Sequence, residues 1–209
     1  MEILVVAATR MEIAPFIEQD HGTDILITGV GAPACMYTLT KQLQRKSYDM
    51  VIQAGIAGTF SSHFPPGATV IVQQDVFADL GIFEQDKFYT LFEKGFAEKN
   101  TAVYSEGVLV NPATGDFSLP PVKALTVNTV SDKPEQASLF SKKYAADIES
   151  MEGAAFHYVC ISESVPFLQL RSISNFVGER VRTNWKLKEA VLSLNEHLQR
   201  ITKELNPTR

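Results

Sequence analysis

The chain has 209 residues, of which 45% are hydrophobic and 21% charged, and its 19 basic and 24 acidic residues leave a net charge of -5. Such a composition builds a packed core and excludes a disordered chain, a collagen, a coiled coil and a disulfide scaffold. At about 150 residues per domain, residues 1–209 make one domain, and the acidic balance argues against holding a phosphate backbone by charge.

Taken in order, the opening run ILVVAA (residues 3–8) predicts a strand buried on both faces. A helix is expected from Arg10, with Met11, Ile13 and Ile17 as a loose apolar set. Residues 24–28 (DILIT) read as a second strand, Gly29, Val30 and Gly31 as a turn, and Pro33 as the start of a helix to about Arg45. Residues 49–54 (DMVIQA) predict a third strand, ended by the turn Gly55-Ile56-Ala57-Gly58. After the turn at Pro65, Pro66 and Gly67 comes the β-rich run ATVIVQQDVFADL.

Residues 84–120 are polar, aromatic and without a period, and read as a lid or insertion. Residues 122–130 (VKALTVNTV) predict a strand, and Ser131 to Glu135 open a short helix. Residues 145–151 lead by strand or loop into a helix over 152–163. Residues 166–173 (PFLQLRSI) form another buried strand. Asn184 caps a last helix over 185–205, with Leu187, Val191, Leu194, Leu198, Ile201 and Leu205 on its apolar face. Strands alternating with helices predict an α/β fold: a mixed, largely parallel central sheet with helices on both faces. Ligands in such folds sit beyond the carboxyl ends of the strands.

No stretch reaches the roughly 20 apolar residues of a membrane helix. Cys35 and Cys160 are too few for a secreted framework, and the short apolar N-terminus follows an acid, so a cytoplasmic protein without a membrane partner is expected. His157 and Cys160 lack a second pair, so no metal site and no cofactor are expected.

Several residues at the strand ends carry chemistry. Gly29 to Ala34 match the G-x-G-x-x-A dinucleotide pattern, but no acid ends a following strand, which favours a tight turn over a nicotinamide-dependent reductase. The glycines at 55 and 58 form either an anion nest or sugar floor, or a plain turn. Glu12 either complements a helix start or faces a ligand. Glu149 and Glu152 flank Met151; in a partly dry cleft one carboxylate acts as a general base, and in the bland alternative both are solvated. A buried Arg171 needs an acidic partner, for which Glu12 and Glu152 are the candidates. Asn175 serves either as a turn cap or as a ligand for a ring.

The ordered set ILVVAATRMEI, TGVG, YDMVIQAGIAG, PPGATVIVQQDV, ESMEGAAFHYVC and VPFLQLRSISN resembles the purine nucleoside phosphorylase and nucleosidase superfamily. Within it, the chain looks most like the futalosine hydrolase subgroup, near the methylthioadenosine/S-adenosylhomocysteine nucleosidases. The resemblance spans nearly the whole chain and is weakest in the polar middle. It implies a nucleoside phosphorylase-like fold and an N-glycosyl hydrolase acting in menaquinone biosynthesis, with a small-molecule purine nucleoside as partner. It also implies a homo-oligomer, a dimer or higher. By resemblance, Glu12 orients the attacking water and Arg171 helps to hold it. Met151 packs on the ribose, Glu152 accepts from its hydroxyls, and Gly55, Ile56, Ala57 and Val130 line the site. Asn175 meets the purine, and Arg180, with Arg182, is a candidate for a carboxylate on the 5′ extension.

Two departures bear on the substrate. Phosphorylases of this superfamily carry an arginine just before the glycine stretch, where this chain has Ile52, Gln53 and Ala54; a phosphate dianion there lacks its cation, which favours water as nucleophile. Adenosine-type nucleosidases carry Asp where this chain has Asn175, and an amide suits a 6-oxopurine such as hypoxanthine. The alternatives are an adenosine-type nucleosidase, a phosphorylase and a non-catalytic nucleoside-binding module.

Overall fold

The computed structural model describes residues 1–19, 22–111, 117–178 and 181–207. Ten strands and five helices follow one another: β1 Ile3–Ala7, α1 Ala14–Ile17, β2 Asp24–Ile27, α2 Ala32–Leu43, β3 Met50–Thr59, β4 Thr69–Asp75, β5 Gly81–Glu84, β6 Lys87–Thr90, β7 Leu109–Val110, β8 Pro121–Thr126, α3 Pro134–Tyr144, β9 Ile148–Ser150, α4 Gly153–Ser162, β10 Phe167–Phe176 and α5 Leu187–Leu205, all counted among the described residues.

Eight of these strands form one mixed sheet in the order β10-β4-β8-β9-β3-β1-β2, with β7 beside β4. β1 runs parallel to β2 and β3, β10 parallel to β3, and β8 parallel to β4 and β9; the pairs β10 with β4, β3 with β9 and β4 with β7 are antiparallel. Because β3 pairs with β10 as well as with β9, strands β3, β10, β4, β8 and β9 close on themselves. Inside that closure pack Ala57, Val70, Val72, Val122, Ala124, Ile148 and Ile173.

Side chains alternate across a strand, and β1 uses both faces. Ile3, Val5 and Ala7 meet Phe16 of α1 and Leu194, Leu198 and Ile201 of α5. Leu4 and Val6 meet Cys35 and Leu39 of α2 and Phe156 and Val159 of α4. Burial on both faces explains why this strand is a continuous apolar run.

Five expectations need correction. The glycine stretch 55–58 is no turn; β3 continues through it to Thr59, paired with β10 along its length. The helix expected from Arg10 begins at Ala14, since Pro15 is tolerated only in a first turn and so sets where the helix starts. The strand expected to reach Val130 stops at Thr126, and the strand expected to stop at Ile173 runs to Phe176. Asn184 is not the N-cap of α5: that helix starts at Leu187 after Lys186, and Asn184 ends a 3-10 turn. Within the irregular middle, β5 and β6 form a hairpin whose turn residues Gln85 and Asp86 both have positive φ. That is the geometry of a type I′ turn, but the sequence lacks the Asn-Gly signature that announces one.

Candidate active site

A cleft of about 280 Å³ opens where β1, β3, β9 and β10 end. Glu12, Ile56, Ala57, Val130, Met151, Glu152 and Asn175 line it, which brings seven of the ten residues singled out from sequence to one place. Gly55 and Arg171 stand behind its wall, and Arg180 lies outside the described residues.

Glu12 is buried in the loop after β1, and three donors fix its carboxylate. Oε2 accepts from the Thr9 amide and hydroxyl, each at 2.9 Å, and Oε1 accepts from the Ile56 amide at 3.1 Å. The loop itself is tied to α5: Asn195 Nδ2 donates to the Glu12 carbonyl at 2.8 Å, and Asn195 Oδ1 accepts from the Phe16 amide at 2.9 Å. Asn195 interrupts the apolar face of α5 with a polar side chain, a signal that an apolar periodicity passes over.

Glu152 sits at the N-terminus of α4. Its Oε1 accepts from the Gly31 amide at 2.9 Å, and its Oε2 lies 3.7 Å from Arg171 Nη1. The turn that matched a dinucleotide pattern therefore spends its amide on a carboxylate of the protein. Gly31 adopts φ +94°, which a residue with a Cβ rarely does. Burial pushes the Glu152 carboxyl up, and Arg171 and the Gly31 amide pull it down. A carboxylate so placed accepts strongly from hydroxyl groups in the cleft.

Arg171 is 1% exposed. Nη2 donates to Gln53 Oε1 at 2.9 Å and Nη1 to the Ile56 carbonyl at 3.5 Å. Of the two partners weighed for it, Glu152 makes the ion pair. Glu12 stands across Gly55: a Cβ on that glycine would collide with Arg171 Nη1 and lie 3.1 Å from Glu12 Oε1. Glycine at 55 thus serves close packing of a guanidinium against the strand, rather than a turn.

Asn175 ends β10. Its Oδ1 accepts from the Ser174 hydroxyl at 2.7 Å, and its Nδ2 donates to the Phe176 carbonyl at 2.8 Å. One amide hydrogen and one oxygen lone pair remain. Glu149 also lines the cleft and accepts from the Ser131 amide at 3.1 Å and hydroxyl at 2.7 Å. Thr9, Met11, Val30, Ser131, Val177 and Trp185 complete the wall; the first five follow strand ends, where ligands of such folds are expected, whereas Trp185 carried no such signal. The described lining residues include three glutamates and no lysine or arginine.

The family model of the phosphorylase superfamily matches residues 15–206. Futalosine hydrolase of Thermus thermophilus is 29% identical, over 96% of this chain and 95% of its own. Futalosine hydrolase of Acidothermus cellulolyticus is 34% identical, over 83% of this chain and 72% of its own. The crystal structure of 5′-methylthioadenosine/S-adenosylhomocysteine nucleosidase from Neisseria meningitidis, in complex with methylthio-immucillin-A, superposes with a TM-score of 0.82 at 16% identity, covering 97% of this chain and 99% of that one. With its fold matched end to end and the family model covering it from α1 to α5, this chain belongs to the phosphorylase superfamily.

Proposed function

We propose that this chain is a futalosine hydrolase. It cleaves the N-glycosidic bond of futalosine to hypoxanthine and dehypoxanthine futalosine, a step of menaquinone biosynthesis. The relatives from Thermus and Acidothermus, at 29% and 34% identity, support the substrate. One observation carries the reaction type: the described cleft lining holds three glutamates and no cation, and the buried Arg171 already serves Glu152 and Gln53. A phosphate dianion brought there would be desolvated against like charge, whereas a water would find acceptors. Water is therefore the nucleophile.

In this reading the C1′–N9 bond breaks with positive charge growing on the ribose ring. Glu152 accepts from the ribose hydroxyls, and Met151 packs on the sugar beside Val130. Glu12 accepts a proton from the attacking water on the opposite face, while the Ile56 amide and the Thr9 donors hold that carboxylate in place. Arg171 acts from behind the wall, fixing Glu152 and the Ile56 carbonyl. The purine leaves with the electron pair of the C1′–N9 bond; the remaining amide hydrogen of Asn175 reaches its N7 or O6 and stabilises that charge until water supplies the proton that makes hypoxanthine. Gly55, Ile56 and Ala57 form the floor, and Arg180 answers the carboxylate of the 5′ extension. The site rides on a single domain with a largely parallel sheet and helices on both faces, in a cytoplasmic homo-oligomer.

Base release from futalosine and from methylthioadenosine, followed by chromatography, tests the reading. Hypoxanthine from futalosine with the higher kcat/KM is expected. Adenine released faster from methylthioadenosine would overturn the substrate assignment in favour of an adenosine-type nucleosidase.

A further inference from the structure

The N-terminus of α4 carries Glu152 at its N-cap, yet Glu152 does not cap it: its carboxylate makes no hydrogen bond to the first turn of its own helix. At this position a short Ser, Thr, Asp or Asn side chain accepts from the second or third amide of the helix, whereas the Glu152 carboxylate is turned to Gly31 and Arg171. The amides are satisfied from elsewhere. Ala154, in the first turn, donates its N–H to Thr126 Oγ1 at 2.7 Å, and Gly153 donates to Ser150 Oγ at 3.3 Å. Thr126 comes from β8, 28 residues earlier.

The direction of the Thr126 hydroxyl is fixed by a buried carboxylate. Thr126 Oγ1 donates to Asp75 Oδ1 at 2.9 Å, so its oxygen is left to accept from Ala154. Asp75 at the end of β4 is fully buried, and it is held in turn by the Val76 amide at 2.9 Å and Gln169 Nε2 at 3.3 Å. The helix start presses against this pair: a Cβ at Gly153 would collide with Asp75 Oδ2 and with Gln169 Nε2.

We propose that Thr126 and Asp75 are positioning residues for Glu152: they cap α4 from the sheet, and so leave the Glu152 carboxylate free to face the ribose. The inference rests on the reading of Glu152 as the ribose acceptor. Without the Thr126 hydroxyl, the Ala154 amide is buried with no acceptor, and the N-cap position occupied by Glu152 is the one from which a side chain ordinarily supplies it. Glu152 then swings back to cap its own helix, leaving the Gly31 amide and the substrate hydroxyls. Neither Thr126 nor Asp75 lines the cleft, so their influence on the reaction runs through Glu152.

The test is a double-mutant cycle on kcat/KM for futalosine, with Thr126→Val, Thr126→Ser, Glu152→Gln and the Thr126→Val/Glu152→Gln pair, each checked for cooperative melting. Thr126→Val should lower kcat/KM about fivefold to tenfold, the size of one lost cap, with most of the loss in KM. Thr126→Ser, which keeps the hydroxyl, should stay within about twofold of the wild type. On the Glu152→Gln background, Thr126→Val should cost less than about twofold, since its route to the substrate is already cut. An equal loss on both backgrounds, or a serine variant as poor as the valine one, would overturn the proposal. Should Thr126→Val fail to fold, Thr126→Ala carries the same comparison. A wild-type enzyme that releases no base from futalosine would instead contradict the functional reading. The cap would then be judged from amide hydrogen exchange at Ala154: faster in Thr126→Val and unchanged in Thr126→Ser supports it, and equal rates in all three overturn it.

Discussion

Glu12 accepts from three donors, two on Oε2 and one on Oε1, and still borders the cleft. A glutamine there keeps only one acceptor oxygen and turns an NH₂ toward either Thr9 or the Ile56 amide. Glu12→Gln should therefore lower turnover by about 10²- to 10⁴-fold, the usual worth of a general base, while nucleoside binding changes only a few-fold. Unchanged turnover would remove Glu12 from the chemistry. At Asn175 the issue is which base leaves. Asn175→Asp adds an acceptor that takes a hydrogen from an exocyclic amine, so the ratio of kcat/KM for methylthioadenosine over futalosine should rise by about tenfold, the worth of one good hydrogen bond. A ratio that stays put would show that Asn175 does not read the purine. Both residues were legible in the sequence because carboxylates and amides just after buried runs stand out. Asn195 was not, although it ties the Glu12 loop, because its meaning comes from contacts 179 and 183 residues away.

Among the elements, β3 and β10 decide how the site is built. They run side by side from Val51 with Phe167 to Thr59 with Phe176, and they bring Gln53 and Arg171 into hydrogen-bond reach. Gly55 lies under the guanidinium, where an added Cβ meets both Arg171 and Glu12. Gly55→Ala should cost about 1–3 kcal/mol of stability through overpacking and at least about tenfold in kcat/KM, from displacement of both charged groups. Thermal melting and base release check it; a variant with unaltered melting temperature and rate would contradict the close packing. The same stretch shows where sequence reading stops. Glycines weaken strands in isolation, so Gly55 and Gly58 read as a turn, whereas pairing with β10, joined at Gly58 by β9, keeps β3 extended through them. Arg171, Ser172 and Ser174 near the end of β10 are buried and partnered, so the polar residues after Ile173 do not end the strand there. Continuous apolar runs such as β1 and periodic helices such as α5 were legible because their signal is local.

Over the molecule as a whole, polar groups lie buried between the sheet and α4, whose start packs on Asp75 and Gln169. Asp75 is the clearest. Burial pushes its carboxyl up to about 7, against the pull of the Thr126 hydroxyl, Arg171, Gln169 and the Val76 amide. The folded chain thus keeps a proton on Asp75 between about pH 4 and 7 that the unfolded chain has lost. This group's contribution to stability is fully present below its unfolded pKa and is lost as pH rises through about 7. Buried His157, pushed down to about 3, works in the opposite sense: its contribution is present above its unfolded value and is lost as pH falls. Asp75→Asn removes the first contribution only. Between pH 5 and 7 the stability of wild type relative to Asp75→Asn should fall by up to about 1.4 kcal/mol per pH unit, as read from denaturant melts. A difference that is flat with pH would mean that Asp75 titrates alike in the folded and unfolded chains.

In the proposed reaction water attacks the glycosidic carbon, in a cleft whose described lining holds no lysine or arginine. Turnover of futalosine in ¹⁸O-labelled water, with and without inorganic phosphate, tests it most directly. Hypoxanthine, one ¹⁸O on the anomeric hydroxyl of the sugar product and a rate indifferent to phosphate are expected. A sugar 1-phosphate free of label at that carbon, formed at a rate that rises with phosphate, would contradict it.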